Sequence, residues 1–348
     1  MNEAAWAQKF CQKIKEFNLK SPVRVMEVCG THTMNIARYA LRSLLPAEVK
    51  IIAGPGCPVC VTDPHDLALA FAAIQIPHCI VATFGDVLRL PFNGQTLGQA
   101  PNVVAVSSPA AAVTLAAQNP SQEVIFLGIG FETTAPLTAA AVMQAQAMGL
   151  PNFSILSWHK LIVPALEFLL SQEALKIDGF LLPGHVAAVT GSDYFAFLNG
   201  RRPAVIAGFS APEISAALAA LVQAIGKEDR QVKNFYPHVV HPEGNQKAMH
   251  LMGHVFMPQT ARWHGIGMLP ESGLQLRPVW AAFDAQKKFG LIAPPIPPSA
   301  CRCGEIMLGQ ITPPACALFG KQCTPSMPQG PCMVSSEGTC AAYYRYQR

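Results

Sequence analysis

Between residues 23 and 225 the hydrophobic pattern changes period again and again. Short unbroken apolar runs alternate with segments whose apolar residues recur every three or four positions. The first kind reads as buried β-strand and the second as helix packed on one face. Val23–Val28 is predicted as a strand, Thr33–Leu45 as a helix (Met34, Ile36, Ala37, Ala40, Leu41, Leu44) and Val49–Ala53 as a second strand. Asp63-Pro64 and Ser108-Pro109 each put a side-chain oxygen before a proline, the signal for an N-cap and first helical residue. Cys79–Thr83, Val103–Val106, Glu123–Leu127, Phe153–Leu156, Gly179–Leu182 and Val205–Ala207 read as further strands. Helices are predicted at Thr134–Met148, Val163–Leu170 and Pro212–Ile225. Strands alternating with helices mean βαβ units and mostly parallel sheets.

The series divides near residue 120, which predicts two Rossmann-like α/β domains, residues 1–120 and 121–232. A charged stretch, Gly226–Lys233, precedes a His/Gly/Pro-rich segment of weaker periodicity. Ala293–Ser299 contains four prolines and reads as a stiff linker. Beyond it lies a cysteine-rich region poor in apolar periodicity. Residues 233–348 are therefore expected as a third unit ending in a small domain that needs metal or cross-links to hold it.

Composition narrows the function classes. Hydrophobic residues make up 51% and charged residues 13%, which excludes a disordered chain. A net charge of +4, with no block of like charges, leaves no nucleic-acid footprint. Leu90–Gln122 carries no charge, but Pro91, Asn93, Gln95, Pro101, Asn102 and Pro109 interrupt it. A spanning helix needs ~20 mainly apolar residues in a row, so the run reads as loop, strand and helix. Glu3, Lys9, Lys13, Lys15 and Glu16 lie among the first apolar residues, so neither signal peptide nor anchor is expected there. The expectation is a cytoplasmic protein with no membrane association.

The eleven cysteines change the picture most, because six of them fall in the last 48 residues. Such grouping in a large chain points to metal or redox chemistry. Cys29-Gly30-Thr31-His32 follows a strand and opens a helix. A thiol there sits at a helix N-terminus, which favours thiolate, and at the strand end where open α/β sheets bind ligands. The plain alternative is a buried cysteine acting as a small hydrophobe. Gly54-Pro55-Gly56-Cys57-Pro58-Val59-Cys60 is a CxxC after a strand, able to chelate a soft metal or to close a disulfide. Sequential parallel strands usually neighbour one another, so Cys29, Cys57 and Cys60 are expected to converge. The tail cysteines Cys301, Cys303, Cys316, Cys323, Cys332 and Cys340 fit neither a zinc ribbon nor a bacterial ferredoxin run. Their long, irregular spacings favour iron–sulfur over a structural zinc. In His241-Pro242-Glu243-Gly244-Asn245 a turn pairs carboxylate with imidazole. Other histidine turns, Trp263-His264 among them, read as ordinary polar loops. No GxxxxGK[ST] occurs, and Gly128-Ile129-Gly130 lacks the third dinucleotide glycine.

Taken in order, CGTH at 29–32, GPGCPVC at 54–60, HPEGN at 241–245 and CMVSSEGTCAAYY at 332–344 resemble the HypD family, maturation factors for [NiFe]-hydrogenases. The resemblance covers nearly the whole chain. It implies two α/β domains plus a small C-terminal iron–sulfur domain. It implies a scaffold and electron donor for assembly of an Fe(CN)₂CO group, rather than an enzyme in the usual sense. A HypC-type chaperone sharing the iron, a HypE-type cyanide donor and a [4Fe–4S] cluster are implied with it. Carried over residue by residue, Cys29, Cys57 and Cys60 match the thiols that meet the iron, and His32 and Glu243 are motif residues. Cys301, Cys316, Cys323 and Cys340 are taken as cluster ligands. Cys303 is left out as too close to Cys301, and Cys332 is left out too. The rivals are a stand-alone iron–sulfur-coupled thiol–disulfide oxidoreductase and a zinc-bearing interaction platform. The CxxC loop is expected to be exposed and separate from the tail site.

Overall fold

A computed structural model describes residues 3–17, 19, 21–296 and 298–346. Its strands in chain order are β1 (Val23–Glu27), β2 (Val49–Ala53), β3 (Cys79–Thr83), β4 (Pro91–Phe92), β5 (Gln95–Thr96), β6 (Val103–Ala105) and β7 (Glu123–Gly130). There follow β8 (Phe153–His159), β9 (Gly179–Pro183), β10 (Ala204–Ala207), β11 (Val232–Asn234), β12 (Phe256–Trp263) and β13 (Gly267–Leu276). Five strands form one parallel sheet in the order β11-β10-β9-β1-β2, and four form a second in the order β6-β3-β7-β8. The pair β4/β5 is a small hairpin and β12/β13 a long antiparallel one.

The boundary expected near residue 120 is not where the sheets divide. Strands β3 and β6 leave the company of β1 and β2, while β9 and β10 return to pair with β1. The second sheet is thus inserted between β2 and β9 of the first. The hydrophobic pattern does not carry this information. Strands covered on both faces, such as the wholly buried β9 and β10, read as continuous apolar runs whichever sheet they join.

The two sheets share a central core. Met26, Leu182 and Ile206 from the first face Ile125, Leu127 and Ile129 from the second within one cluster. Ile306, Met307, Met333 and Val334 from the C-terminal region belong to the same cluster, so that region is built into the core and is not a free-standing domain. On the other face of the first sheet, Ala7, Cys11 and Ile14 of the helix Glu3–Lys15 meet Ile214, Leu218 and Leu221 of the helix Ala211–Gly226. The outer core of the second sheet joins Phe126 and Phe153 to Val113, Val142 and Trp280.

Both predicted N-caps form: Asp63 accepts from the His65 N–H and Ser108 from the Ala111 N–H. The single helix expected over Thr33–Leu45 is two, Gly30–Arg38 and Leu41–Leu44, parted by Ala40 at φ 50°. The charged stretch after residue 226 contains β11, and the irregular segment beyond it contains the β12/β13 hairpin. Pro297 of the proline-rich stretch lies outside the described residues, and the rest of Ala293–Ser299 has neither helix nor strand. Leu90–Gln122 resolves into short turns, the β4/β5 hairpin, β6 and the helix Pro109–Gln118. No helix among the described residues is long and apolar enough to cross a membrane.

Candidate metal and thiol centre

Strands β1 and β9 lie side by side, and the chain leaves them in opposite directions across the first sheet. That makes the gap beyond their carboxyl ends a switch-point crevice, the usual ligand position in open α/β sheets. Cys29 stands there as N-cap of the helix Gly30–Arg38. Its thiol is buried. Burial pushes its pKa up to about 12; the backbone N–H groups of His32 and Thr31 act the other way, and the Glu337 and Glu27 carboxyls add to the rise. The expectation of a thiolate favoured by the helix terminus is therefore overturned. Three pH units are about 4 kcal/mol, whereas a helix terminus supplies at most ~2 kcal/mol. A bound cation reverses this balance, since a coordinating thiol gives up its proton.

The turn around Cys29 is held from below by Glu27. This fully buried carboxyl accepts from the Cys29 N–H at 3.1 Å and from the Thr33 hydroxyl, and burial pushes its pKa up to about 8. His32 is buried too, with burial bringing its pKa down to about 4, so the ring is neutral. Its Nε2 lies 2.9 Å from the Gly208 carbonyl, which makes that nitrogen the donor and leaves Nδ1 with a free lone pair and no partner. Phe209 stacks on His32, and His185 from the end of β9 stacks on Phe209 at 3.7 Å.

β1 and β2 pair in register, so the CxxC loop follows β2 directly beside the Cys29 turn. The Gly30 N–H donates to the Gly56 carbonyl. A Cβ on Gly56 would fall 2.1 Å from the Val28 carbonyl carbon, so only glycine lets the two loops touch. The Cys57 and Cys60 Sγ atoms are 2.6 Å apart. At 4% and 2% exposed, neither thiol is on the surface as expected, and burial pushes the Cys60 thiol well up.

Nor is the tail a separate site. It folds back onto these loops. The Thr31 hydroxyl donates to Glu337 at 2.6 Å. Cys332 stands beside both Cys60 and Cys303, and Cys340 beside Cys303, near enough for each thiol to shift its neighbour's proton affinity. Cys303 also lies 3.0 Å from Cys301, sulfur to sulfur. Cys301, Cys303, Cys316, Cys323 and Cys340 line one hollow, whose other walls include Ile306, Leu318, Phe319 and Met333. Cys332 stands outside it, between Cys303 and Cys60. At Gly330 a Cβ would strike the Cys301 sulfur at 2.1 Å.

Sequence reasoning passed over His264. The tip of the β12/β13 hairpin carries it into the centre: its N–H donates to the Val61 carbonyl just after the CxxC, and Gly265 packs on Gly304. Ligand atoms of His264, Cys301 and Cys303 lie within 4.8 Å of one another, a metal-capable group. The available signal is Gly265, since a glycine can mark a close approach of backbones, and here a Cβ would fall 2.2 Å from Gly304 Cα. Glu243 is elsewhere. It is exposed on the loop after β11, and among the described residues its side chain has no hydrogen bond or ion pair with His241 or with any thiol.

The HypD model, described as "Hydrogenase formation hypA family", matches residues 5–347. The chain belongs to the HypD family. It is 40% identical to the hydrogenase maturation factor HypD of Azotobacter vinelandii, over 99% of this chain and 95% of that protein. It is 42% identical to the hydrogenase expression/formation protein HupD of Azotobacter chroococcum mcd 1, over 93% and 89% of the two chains. With the HypD of Escherichia coli K12 it shares 39% identity, over 95% and 91%.

Proposed function

We propose that this HypD-family chain serves [NiFe]-hydrogenase maturation as the scaffold and electron donor on which an Fe(CN)₂CO group is assembled. The observation that carries the reading is the run of neighbouring thiols from Cys57 through Cys60, Cys332 and Cys303 to the tail hollow. A free-standing metal domain would not need its cysteines against a CxxC.

The hollow suits a [4Fe–4S] group. Its donors are soft thiols, its walls are apolar, and Gly330 leaves room where a side chain would intrude. Cys301, Cys316, Cys323 and Cys340 would hold the group, which supplies single electrons when bound. Cys303, on the wall of the hollow, and Cys332, beyond it, would then lead towards the CxxC as free thiols. Cys57 and Cys60 release two electrons and two protons on closing a disulfide. A thiocyanate carried by a HypE-type donor takes up two electrons and one proton as its S–C bond breaks, leaving a thiol and cyanide, so the count closes with one proton released. Cys29, Cys57 and Cys60 meet the iron, which is cargo shared with a HypC-type chaperone. Thiolates suit a low-spin iron carrying cyanide and carbon monoxide. The unpartnered Nδ1 of His32 offers an acceptor at the same crevice. Glu243, on its exposed loop, is positioned for a partner protein. The reading implies a cytoplasmic protein, since that compartment keeps thiols reduced.

Vibrational spectroscopy of the chain purified anaerobically with its chaperone tests this. Cyanide and carbonyl stretches are expected, and Cys57→Ala should lose them. Their absence from the wild-type complex would overturn the reading. A stand-alone oxidoreductase would instead reduce a disulfide substrate without a partner, and a zinc platform would hold zinc and no acid-labile sulfide.

A further inference from the structure

The outer edge of the second sheet is incompletely covered. β8 forms this edge and β13 approaches it, but among the described residues the isolated bridges are at Ile155 (to Asp284) and, just past the strand, at Lys160 (to Gly273). Between them opens a cleft of about 430 Å³, walled also by the start of the helix Pro64–Ala73 and by β12. No cysteine lines it, so it is distinct from the thiol centre. Its volume falls within the ~300–1,000 Å³ common for small-molecule sites.

Hydrogen-bond donors outnumber their acceptors at this cleft. The Lys160 side chain is 4% exposed, and its one partner among the described residues is Asp66 Oδ2 at 3.4 Å. An ammonium has three donors, and burying one is costly unless they are met. Trp158 lies two residues earlier and so on the same face of β8, and its buried indole Nε1 has no acceptor. Arg262 stands exposed at the rim on β12, with no hydrogen bond or ion pair among the described residues. Lys287 and Asp284 at the opposite rim neutralise each other at 3.0 Å. The cleft thus holds three cationic side chains against two carboxylates, Asp66 and Asp284. A ligand that brings only acceptors and a negative charge would answer the spare donors of Lys160 and the unpaired Arg262.

We infer that this cleft binds a small oxyanion-bearing molecule, a carboxylate or a phosphate, through Lys160 and Arg262. Lys160 supplies the buried charge that fixes the ligand, and Arg262 captures it from solvent. The inference does not depend on the maturation role, and it stands or falls on binding alone.

Calorimetric titration of the full chain with inorganic phosphate, and separately with succinate, tests it at constant ionic strength. One saturable site is expected for at least one of the two anions, and the one that binds identifies the ligand class. Lys160→Met should weaken that binding at least tenfold and Arg262→Ala severalfold, with the visible absorbance of the protein unchanged. Arg262 is exposed, so its variant reads out the cleft even if Lys160→Met folds poorly. No saturable binding of either anion, or full affinity in either variant, would overturn the assignment.

Discussion

Glu132 gives the sharpest test of the energetics. It follows β7 in the inserted sheet and is fully buried. Its Oε1 accepts from the Ile162 N–H at 2.9 Å, at the start of the helix Ile162–Ser171, and from the Tyr194 hydroxyl at 3.0 Å. Tyr194 lies between β9 and β10, so this one carboxyl ties the two sheets together. Its Oε2 is buried without a partner. Burial raises its pKa from 4.5 to about 7. The native state therefore keeps this proton after the unfolded chain has lost it, and stability falls as pH rises from about 4.5 to about 7. A difference of about 2.5 pH units, at ~1.36 kcal/mol each, is about 3 kcal/mol. Glu132→Gln removes the titration, yet its amide oxygen can accept the same two hydrogen bonds. Urea unfolding followed by circular dichroism, on anaerobic protein from pH 5 to pH 8, compares the two. The variant should exceed the wild type by under ~1 kcal/mol at pH 5 and by about 3 kcal/mol at pH 8. Glu27 titrates in the same window but is present in both proteins and cancels in the difference. Parallel pH profiles, or a variant weaker at pH 8, would refute the reasoning.

Further outcomes follow from other groups. Burial holds His159 down to about 3, and its ring nitrogens meet Thr138 and Ser157, so acid should destabilise the native state as pH falls from ~6.5. His159→Gln should flatten that acid limb in the same unfolding assay, and an unchanged limb would remove His159 from the account. Gly56→Ala should cost on the order of 1–3 kcal/mol, because its Cβ drives into the backbone of Val28 and Cys29. An unmoved denaturation midpoint would mean that the two loops part freely. Cys316→Ser should bleach the visible absorbance of anaerobic protein, while Cys303→Ala should keep it and about four irons per chain. The opposite pattern would exchange their roles. Cys60→Ala should keep the colour but lower stability by more than the ~0.5 kcal/mol of a surface change, since Cys60 is 2% exposed.

What the chain reveals before folding is mostly local. The Asp63 and Ser108 caps, the β1–β2 neighbourhood and the meeting of Cys29 with the CxxC loop are all short-range, and all were legible. The insertion was not, because β3 and β9 differ in partner while both are buried and apolar. The return of Cys332 to Cys60 was hidden for a related reason. Nothing near either residue encodes a contact across so long a stretch of chain. His264 looked like any histidine in a turn, since its significance comes only from where the hairpin tip lands. The pKa of Cys29 was misjudged because a helix terminus is visible in sequence and depth of burial is not.

The inserted sheet also orders events in time. β1 and β2 leave the ribosome early, but β9, the other neighbour of β1, begins at residue 179, and β2 ends at residue 53. At ~5–20 residues per second the intervening chain takes on the order of 6–25 s to make. Through that interval the first sheet is a two-stranded fragment, which is marginal alone. The second sheet is encoded without interruption between residues 79 and 159 and can close meanwhile. Last of all come Cys332 and Cys340, beside the final helix Thr339–Tyr346. The thiol centre is therefore completed only after residue 340, later than every strand of both sheets. A nascent chain that has not yet reached residue 332 carries the CxxC without its sulfur neighbours, so the pair stays incomplete until both sheets around it have been made.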